Sequence, residues 1–218
     1  MWPNEPVEYR KARNKLLKAE AKLRGQAEAV AAMRRELPSG GEPKEDYVFT
    51  DVTTGKPVRL SEMFDAPRKT LFLYNFMFAP GKSPCPMCTS LLDALDGETV
   101  HLRERINIAA VAKAMPAEIA AFARSRGWSN LRFLSSNANT YNRDYGGEND
   151  SGSQLPMMHV WIKRGGKVQH FWASELFGHA DRAWTGHPRH ADTIWPLWNV
   201  LDLTPEGRGS SWYPKLAY

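Results

Sequence analysis

Apolar positions recur at alternating steps of three and four from Tyr9 through Ala12, Leu16, Ala19, Leu23, Val30 and Met33 to Leu37, with Gln26 as the one polar interruption. That spacing predicts a helix over residues 5–37 with a narrow apolar seam about four heptads long. Pro38-Ser-Gly-Gly-Glu-Pro43 ends it and reads as a linker. The chain therefore divides into a helical arm with its linker, residues 1–43, and a main domain, residues 44–218.

From Tyr47 the period changes to that of strands. Tyr47-Val-Phe49 and Val58-Arg-Leu60 flank Thr53-Thr-Gly-Lys56 and predict a hairpin. Ser61 is placed to cap a short helix through Phe64. Thr70 to Phe78 is a continuous apolar run, predicted as a buried strand. A turn, Ala79 to Pro84, and a helix carrying Leu91, Leu92, Leu95, Val100 and Leu102 follow. Ile106 to Ala112 has the composition of a parallel strand buried on both faces. Pro116 to Arg126 predicts a helix, Leu131 to Leu134 a strand, and Tyr141 to Tyr145 a single helical turn. Gln154 to Lys163 and Lys167 to Trp172, joined through Gly165 and Gly166, predict a second hairpin. Residues 174–190 read as irregular, and Ala191 to Leu201 as a helix interrupted by Pro196. The tail from Thr204 is rich in Gly and Pro; Trp212 and Tyr213 suggest that it is tied down.

Charge changes the picture little. Residues 1–37 hold nine Lys and Arg against five Asp and Glu, a net of +4; the remainder holds 20 against 19, a net of +1. The main domain lacks the basic face that nucleic-acid binding requires, so no nucleic acid is expected as a partner. No apolar run is long enough to cross a membrane, and the N-terminus lacks the apolar core of a secretory signal. With two cysteines only, a reducing, cytoplasmic setting is expected.

Those two cysteines carry most of the chemistry. They stand as Cys85-Pro-Met-Cys88 where the apolar strand turns into a helix. There the first sulfur meets unpaired N–H groups and the positive end of the helix dipole, which favour a thiolate. The second sulfur lies one turn on, close enough to form a disulfide. Pro86 fits just inside a helix start because its missing N–H would have had no partner. Two simpler readings compete. The pair could be inert buried thiols, or half of a zinc site, for which the second pair of ligands is missing. A c-type haem site would need His after Cys88, where Thr89 stands. His179, His187 and His190, with Glu175 and Asp181, fit no tight ligand spacing and read as a solvated loop, so no metal is expected. His159 reads as a satisfied core residue, and the Trp set (Trp161, Trp172, Trp184, Trp195, Trp198, Trp212) as core and interface.

The order of elements, with the CxxC at a strand-to-helix turn and Leu155-Pro156 heading the later hairpin, resembles a thioredoxin fold. Tyr47-Val-Phe-Thr-Asp51 with Gly55-Lys-Pro-Val-Arg-Leu-Ser-Glu-Met-Phe64, and Leu134-Ser-Ser-Asn137 with Tyr141-Asn-Arg-Asp-Tyr145, are similar to segments of its peroxiredoxin-like branch. Nearly the whole chain resembles the bacterial thioredoxin-like family known as domain of unknown function 899, described as predicted dithiol-disulfide oxidoreductases. The resemblance implies a three-layer α/β fold and a cis Pro156 facing the cysteines. Leu155, Pro156, Pro86 and Met87 would then form the substrate-docking surface. Asn75 stands where thioredoxins carry a buried proton-relay Asp, a task an amide cannot perform. The peroxidatic motif of peroxiredoxins is absent: Phe78 occupies the proline position relative to Cys85, and Gly81 relative to Cys88.

The expected function is thiol–disulfide oxidoreduction, with Cys85 as nucleophile, helped by the nearby Lys82, and Cys88 as resolving thiol. A peroxide reductase and a non-enzymatic thioredoxin-fold binding protein are the alternatives. No bound cofactor is expected, since electrons come from partner thiols of proteins or small molecules. The seam on residues 5–37 must pack on something, the main domain or the same helix of a second subunit, and a homodimer interface is the expectation, with an arm folded back on its own domain as the alternative.

Overall fold

The computed structural model describes residues 2–175, 189–209 and 211–218. The chain forms two units, Met1–Ser39 and Gly40–Tyr218. The first is essentially one helix, α1 (Val7–Arg35), none of whose residues is buried. Tyr9, Leu16, Leu23 and Met33 of the seam are exposed.

The second unit is built on a seven-stranded sheet. Its strands are β1 (Val48–Asp51), β2 (Pro57–Arg59), β3 (Thr70–Phe76), β4 (Asn107–Ala112), β5 (Arg132–Ser135), β6 (Met157–Arg164) and β7 (Lys167–Ala173), in the spatial order β2-β1-β5-β4-β3-β6-β7. The central pairs β3–β4 and β4–β5 are parallel, and the remaining pairs are antiparallel. The parallel pairs are bridged by α2 (Pro86–Leu102) and α3 (Pro116–Arg126), while α4 (Tyr141–Asp144) and α5 (Pro196–Leu201) complete the unit. Every residue of β4 is buried, as its Ile, Val and Ala content predicts.

Each face of the sheet has its own core. On one, Tyr74, Phe76 and Phe78 pack with Leu91, Leu92 and Leu95 of α2, Ile119 of α3 and Trp195 and Trp198 around α5. On the other, Leu71 and Leu73 pack with Val111, Leu134, Trp161, Tyr47 and Tyr141. The two-residue period of β3 thus divides its side chains cleanly between the faces. Truncating a core leucine such as Leu91 to Ala would cost about 2–5 kcal/mol. Asp96 of α2, nearly buried, accepts backbone N–H bonds from Ser129, Asn130 and Leu131, at 3.3, 2.9 and 2.8 Å. It anchors the α3–β5 loop to the helix that follows the cysteines.

Three expectations are refined. The turn at Ser61 is a single 3-10 turn, Leu60–Glu62, because the Asp46 carboxylate takes both the Ser61 N–H and its hydroxyl, leaving no cap for a longer helix. The strand before the cysteines ends at Phe76, where a Phe78 N–H to Phe76 C=O bond turns the chain. Residues 40–43, expected in the linker, belong to the second unit: Gly40 and Gly41 exchange backbone bonds with His170 of β7, at 2.8 and 2.9 Å.

Candidate dithiol site

Cys85 is the N-cap of α2 and Pro86 its first helical residue. The preceding loop is pinned from several sides. The Cys85 N–H bonds the Met77 carbonyl at 3.0 Å, the Ala114 N–H bonds the Phe78 carbonyl at 2.8 Å, and the Glu118 carboxylate accepts the Gly81 N–H at 2.8 Å. The same carboxylate caps α3 by accepting the Met115 N–H at 2.8 Å. Cys85 is thereby held at the end of β3, its Sγ accepting the Cys88 N–H at 3.4 Å. Both cysteines are free, Cys85 partly exposed and Cys88 buried.

The two sulfurs have opposite electrostatics. For Cys85, a hydrogen bond from the Cys88 thiol outweighs the opposing effect of burial, and the Cys88 and Met87 N–H groups and the Tyr213 hydroxyl add to it. The thiol falls from 9.0 to about 6. For Cys88, burial dominates and the neighbouring Cys85 charge reinforces it, so its thiol stays protonated well above the ordinary range. A nucleophile and a protected partner are the result. Lys82 stays exposed, and hydrogen bonds rather than its charge are the principal causes of the lowering.

Two site residues escape the sequence reading. Tyr74, buried in the same core as Cys88, lowers the Cys88 thiol against the effect of burial. Tyr213, in the C-terminal segment, adds to the lowering of the Cys85 thiol. Counting by two from Phe72 and Phe76 would have placed Tyr74 on the α2 side; no periodicity marks Tyr213.

Asn75, the expected relay position, is corrected by the same count. Its neighbours in the strand, Tyr74 and Phe76, occupy the α2 face, so its side chain lies on the opposite face and packs on Gly147. It is buried, and neither amide atom has a hydrogen-bond partner among the described residues.

Of the expected docking residues, Met87 is buried in the α2 core, because the second position of the helix turns inward, and it presents no surface. Pro86 is partly exposed, as is Pro156, and Leu155 is exposed. The pairing of Met157 with Asn75 puts Pro156 at the sheet end where β3 gives way to the cysteine loop. The Leu155–Pro156 bond is trans; the cis X-Pro bond among the described residues is Ala66–Pro67. The approach to β6 is held extended by the Leu155 N–H on the Gly147 carbonyl at 2.9 Å. A polar chain from Ser136 through Asn142 and Gln154 to Glu148 supports it.

His159 is buried and bonded to the Tyr145 carbonyl at 2.9 Å and to His170 at 3.2 Å; burial, then His170, lower it to about 3. Trp161, Trp195 and Trp198 are core, while Trp212 is exposed. His179, His187, Asp181 and Trp184, and the side chain of His190, lie outside the described residues. Among the described residues, no helix is long and apolar enough to cross a membrane.

Comparison with solved structures finds peroxidoxin BcpB from Mycobacterium tuberculosis, at 17% identity and TM-score 0.50, covering 76% of this chain and 99% of that one. A peroxiredoxin-like protein from Aquifex aeolicus follows at 17% identity and TM-score 0.47, covering 64% and 76%. The fold is thioredoxin-like. No curated protein matches the chain. The family model described as "Bacterial protein of unknown function (DUF899)" matches residues 3–218, and the chain belongs to that family.

Proposed function

We propose that the protein is a thiol–disulfide oxidoreductase working through Cys85 and Cys88. The observation that carries this reading is the split between the two thiols, one lowered to about 6 at a helix N-terminus and the other buried and raised beside it. Cys85 as thiolate attacks a substrate disulfide, expelling one substrate thiolate and forming a mixed disulfide. Cys88 gives its proton to solvent and attacks the Cys85 sulfur, expelling the second thiolate and leaving Cys85–Cys88 oxidised. A partner dithiol reverses the change, and no bound cofactor enters. Substrates are proteins or small molecules carrying disulfides, docked beside Pro86 and Pro156, and the setting is a reducing cytoplasm. The exposed seam of α1 pairs with that of a second copy.

Insulin reduction with dithiothreitol as donor, run beside peroxide consumption and with Cys85→Ser as control, tests the reading. Cys85-dependent insulin reduction supports it. Peroxide consumption without insulin reduction would assign a peroxide reductase, and inactivity in both would leave a binding protein of thioredoxin fold.

A further inference from the structure

The end of the sheet away from the dithiol gathers positive charge. Cys85 follows the C-terminal end of β3, whereas Arg68 and Arg103 stand in the turns that lead into β3 and β4, and Arg132 opens β5. These strands run parallel, so the three arginines meet at one end of the sheet. They line a single recess of about 130 Å³ with apolar walls from Met63, Leu71 and Ile108. Among the described residues Asp65 is the one carboxylate in its lining.

Two of the guanidiniums are held in place. Asn107, nearly buried, accepts the Arg68 Nε–H and the Asp65 N–H on Oδ1, both at 3.2 Å, and donates through Nδ2 to the Thr70 carbonyl at 3.1 Å. Arg68 also donates through Nη1 to the Arg103 carbonyl at 3.0 Å and through Nη2 to Asp65 at 3.2 Å. Arg132 Nε donates to the Asp51 carboxylate at 2.7 Å. The Arg103 guanidinium makes no hydrogen bond or ion pair with the described residues. Each guanidinium carries five N–H donors, so all three keep donors to offer. Three positive charges set against Asp65 and Asp51 leave a net of +1.

Like charges over low-dielectric walls repel one another and focus their field into the recess. An anion relieves that repulsion, and the planar fork of a guanidinium matches paired oxygens. A carboxylate offers two oxygens and a phosphate three or four, so three forks suit phosphate. We propose that this recess is a phosphate site, taking inorganic phosphate or the phosphate group of a small molecule through Arg68, Arg103 and Arg132. Asn107 orders Arg68 and its loop in advance, and Arg103 contributes a guanidinium that the fold itself does not use. The site lies apart from the cysteines and stands independently of the dithiol reading.

The test is the thermal unfolding midpoint of full-length reduced protein, titrated with sodium phosphate at neutral pH and fixed ionic strength, with chloride making up the balance. A ligand that binds the folded chain raises the midpoint, and wild type should show that rise. Phosphate also strengthens burial in any folded protein, an effect common to all variants. In Arg103→Ala the phosphate concentration needed for a given rise should be about tenfold higher or more, as expected for losing hydrogen bonds to a charged ligand. Arg124→Ala removes an exposed arginine of α3 outside the recess and should titrate as wild type does. Glycerol 3-phosphate in place of phosphate separates the two sources. A rise at lower concentration than with phosphate identifies the occupant as a phosphorylated small molecule, and one at equal or higher concentration identifies free phosphate. No rise in wild type, or the same titration in Arg103→Ala, overturns the proposal. An equal loss in Arg124→Ala also overturns it, because net charge rather than the recess would then be responsible.

Discussion

Tyr74 of β3 and Cys88 in the first turn of α2 share one buried core between the sheet and the helix. Both groups are buried. The Tyr74 hydroxyl lowers the Cys88 thiol against the larger opposing effect of burial. Tyr74→Phe removes only the hydroxyl, so the fold should persist with a loss of about 1 kcal/mol. Resolution should slow. With Ellman's reagent the first thionitrobenzoate, released by attack of Cys85, should appear at the wild-type rate. The second, released when Cys88 closes the disulfide, should lag. Equal slowing of both phases would count against the assignment of Tyr74 to Cys88.

The two cysteines should separate sharply on labelling. Cys85 should be alkylated first, with a midpoint near pH 6. Cys88 should resist labelling until well above pH 9.0, where free thiols ordinarily ionise. Preferential labelling of Cys88 would invert the nucleophile assignment.

The lowered Cys85 thiol also links stability to pH. A group whose folded pKa lies below its unfolded value adds stability that is complete above the unfolded value and disappears as pH falls through the folded one. The window here runs from 9.0 down to about 6. Across it, reduced wild type should lose stability relative to Cys85→Ser, by at most about 1.4 kcal/mol per pH unit, the limit for one proton. Urea unfolding of both proteins under reductant measures this, and parallel curves would exclude it.

Asn75 and Gly147 should behave as a coupled pair. A methyl group at Gly147 would overlap the Asn75 amide. Gly147→Ala alone should therefore cost about 1–3 kcal/mol, the usual range for overpacking. Adding Asn75→Ala should restore much of the loss, because it removes both the overlap and an amide that has no partner among the described residues. Strict additivity of the two changes, measured by denaturant midpoints, would contradict the close approach.

The α1 seam makes a prediction of its own. A helix of this length draws most of its stability from burying an apolar stripe, and the unit that holds α1 is essentially that helix alone, with nothing of its own to cover the stripe. Full-length protein should therefore scatter light as a dimer at micromolar concentration, and Leu16→Glu with Leu23→Glu should give monomers that keep the dithiol chemistry. A monomeric wild type would reject the seam as an interface.

Much of this architecture was legible from the chain. The continuous apolar run at 106–112 announces a strand buried on both faces, and Pro116 and Gly127 bracket α3 within a residue. Cys85-Pro-Met-Cys88 marks the strand-to-helix turn for a local reason, the fit of a cap and a proline to a helix start. What escaped depends on contacts far apart in sequence. Tyr213 bears on the Cys85 thiol from a segment whose Trp212 and Leu216 are anchored on distant helices. The expectation for Asn75 came from resemblance rather than from the strand's own period, which assigns the inward position to Tyr74. The expected cis geometry at Pro156 gave way to the Leu155–Gly147 bond, which draws the chain straight into β6.

The bonds between His170 and the pair Gly40–Gly41 set a limit on how the arm can be removed. They cover part of the outer rim of β7, a strand whose other side is occupied by β6. Gly40 also lies so near the His170 carbonyl that a side chain would crowd it, a built Cβ coming within 2.8 Å. A shortened protein starting at residue 40 keeps that rim covered. One starting at residue 44 bares N–H and C=O groups that invite strand addition from a neighbouring molecule. Its association would come from the cut rather than from the native assembly, so the boundary chosen for an arm-free protein decides whether its mass in solution reports on α1 at all.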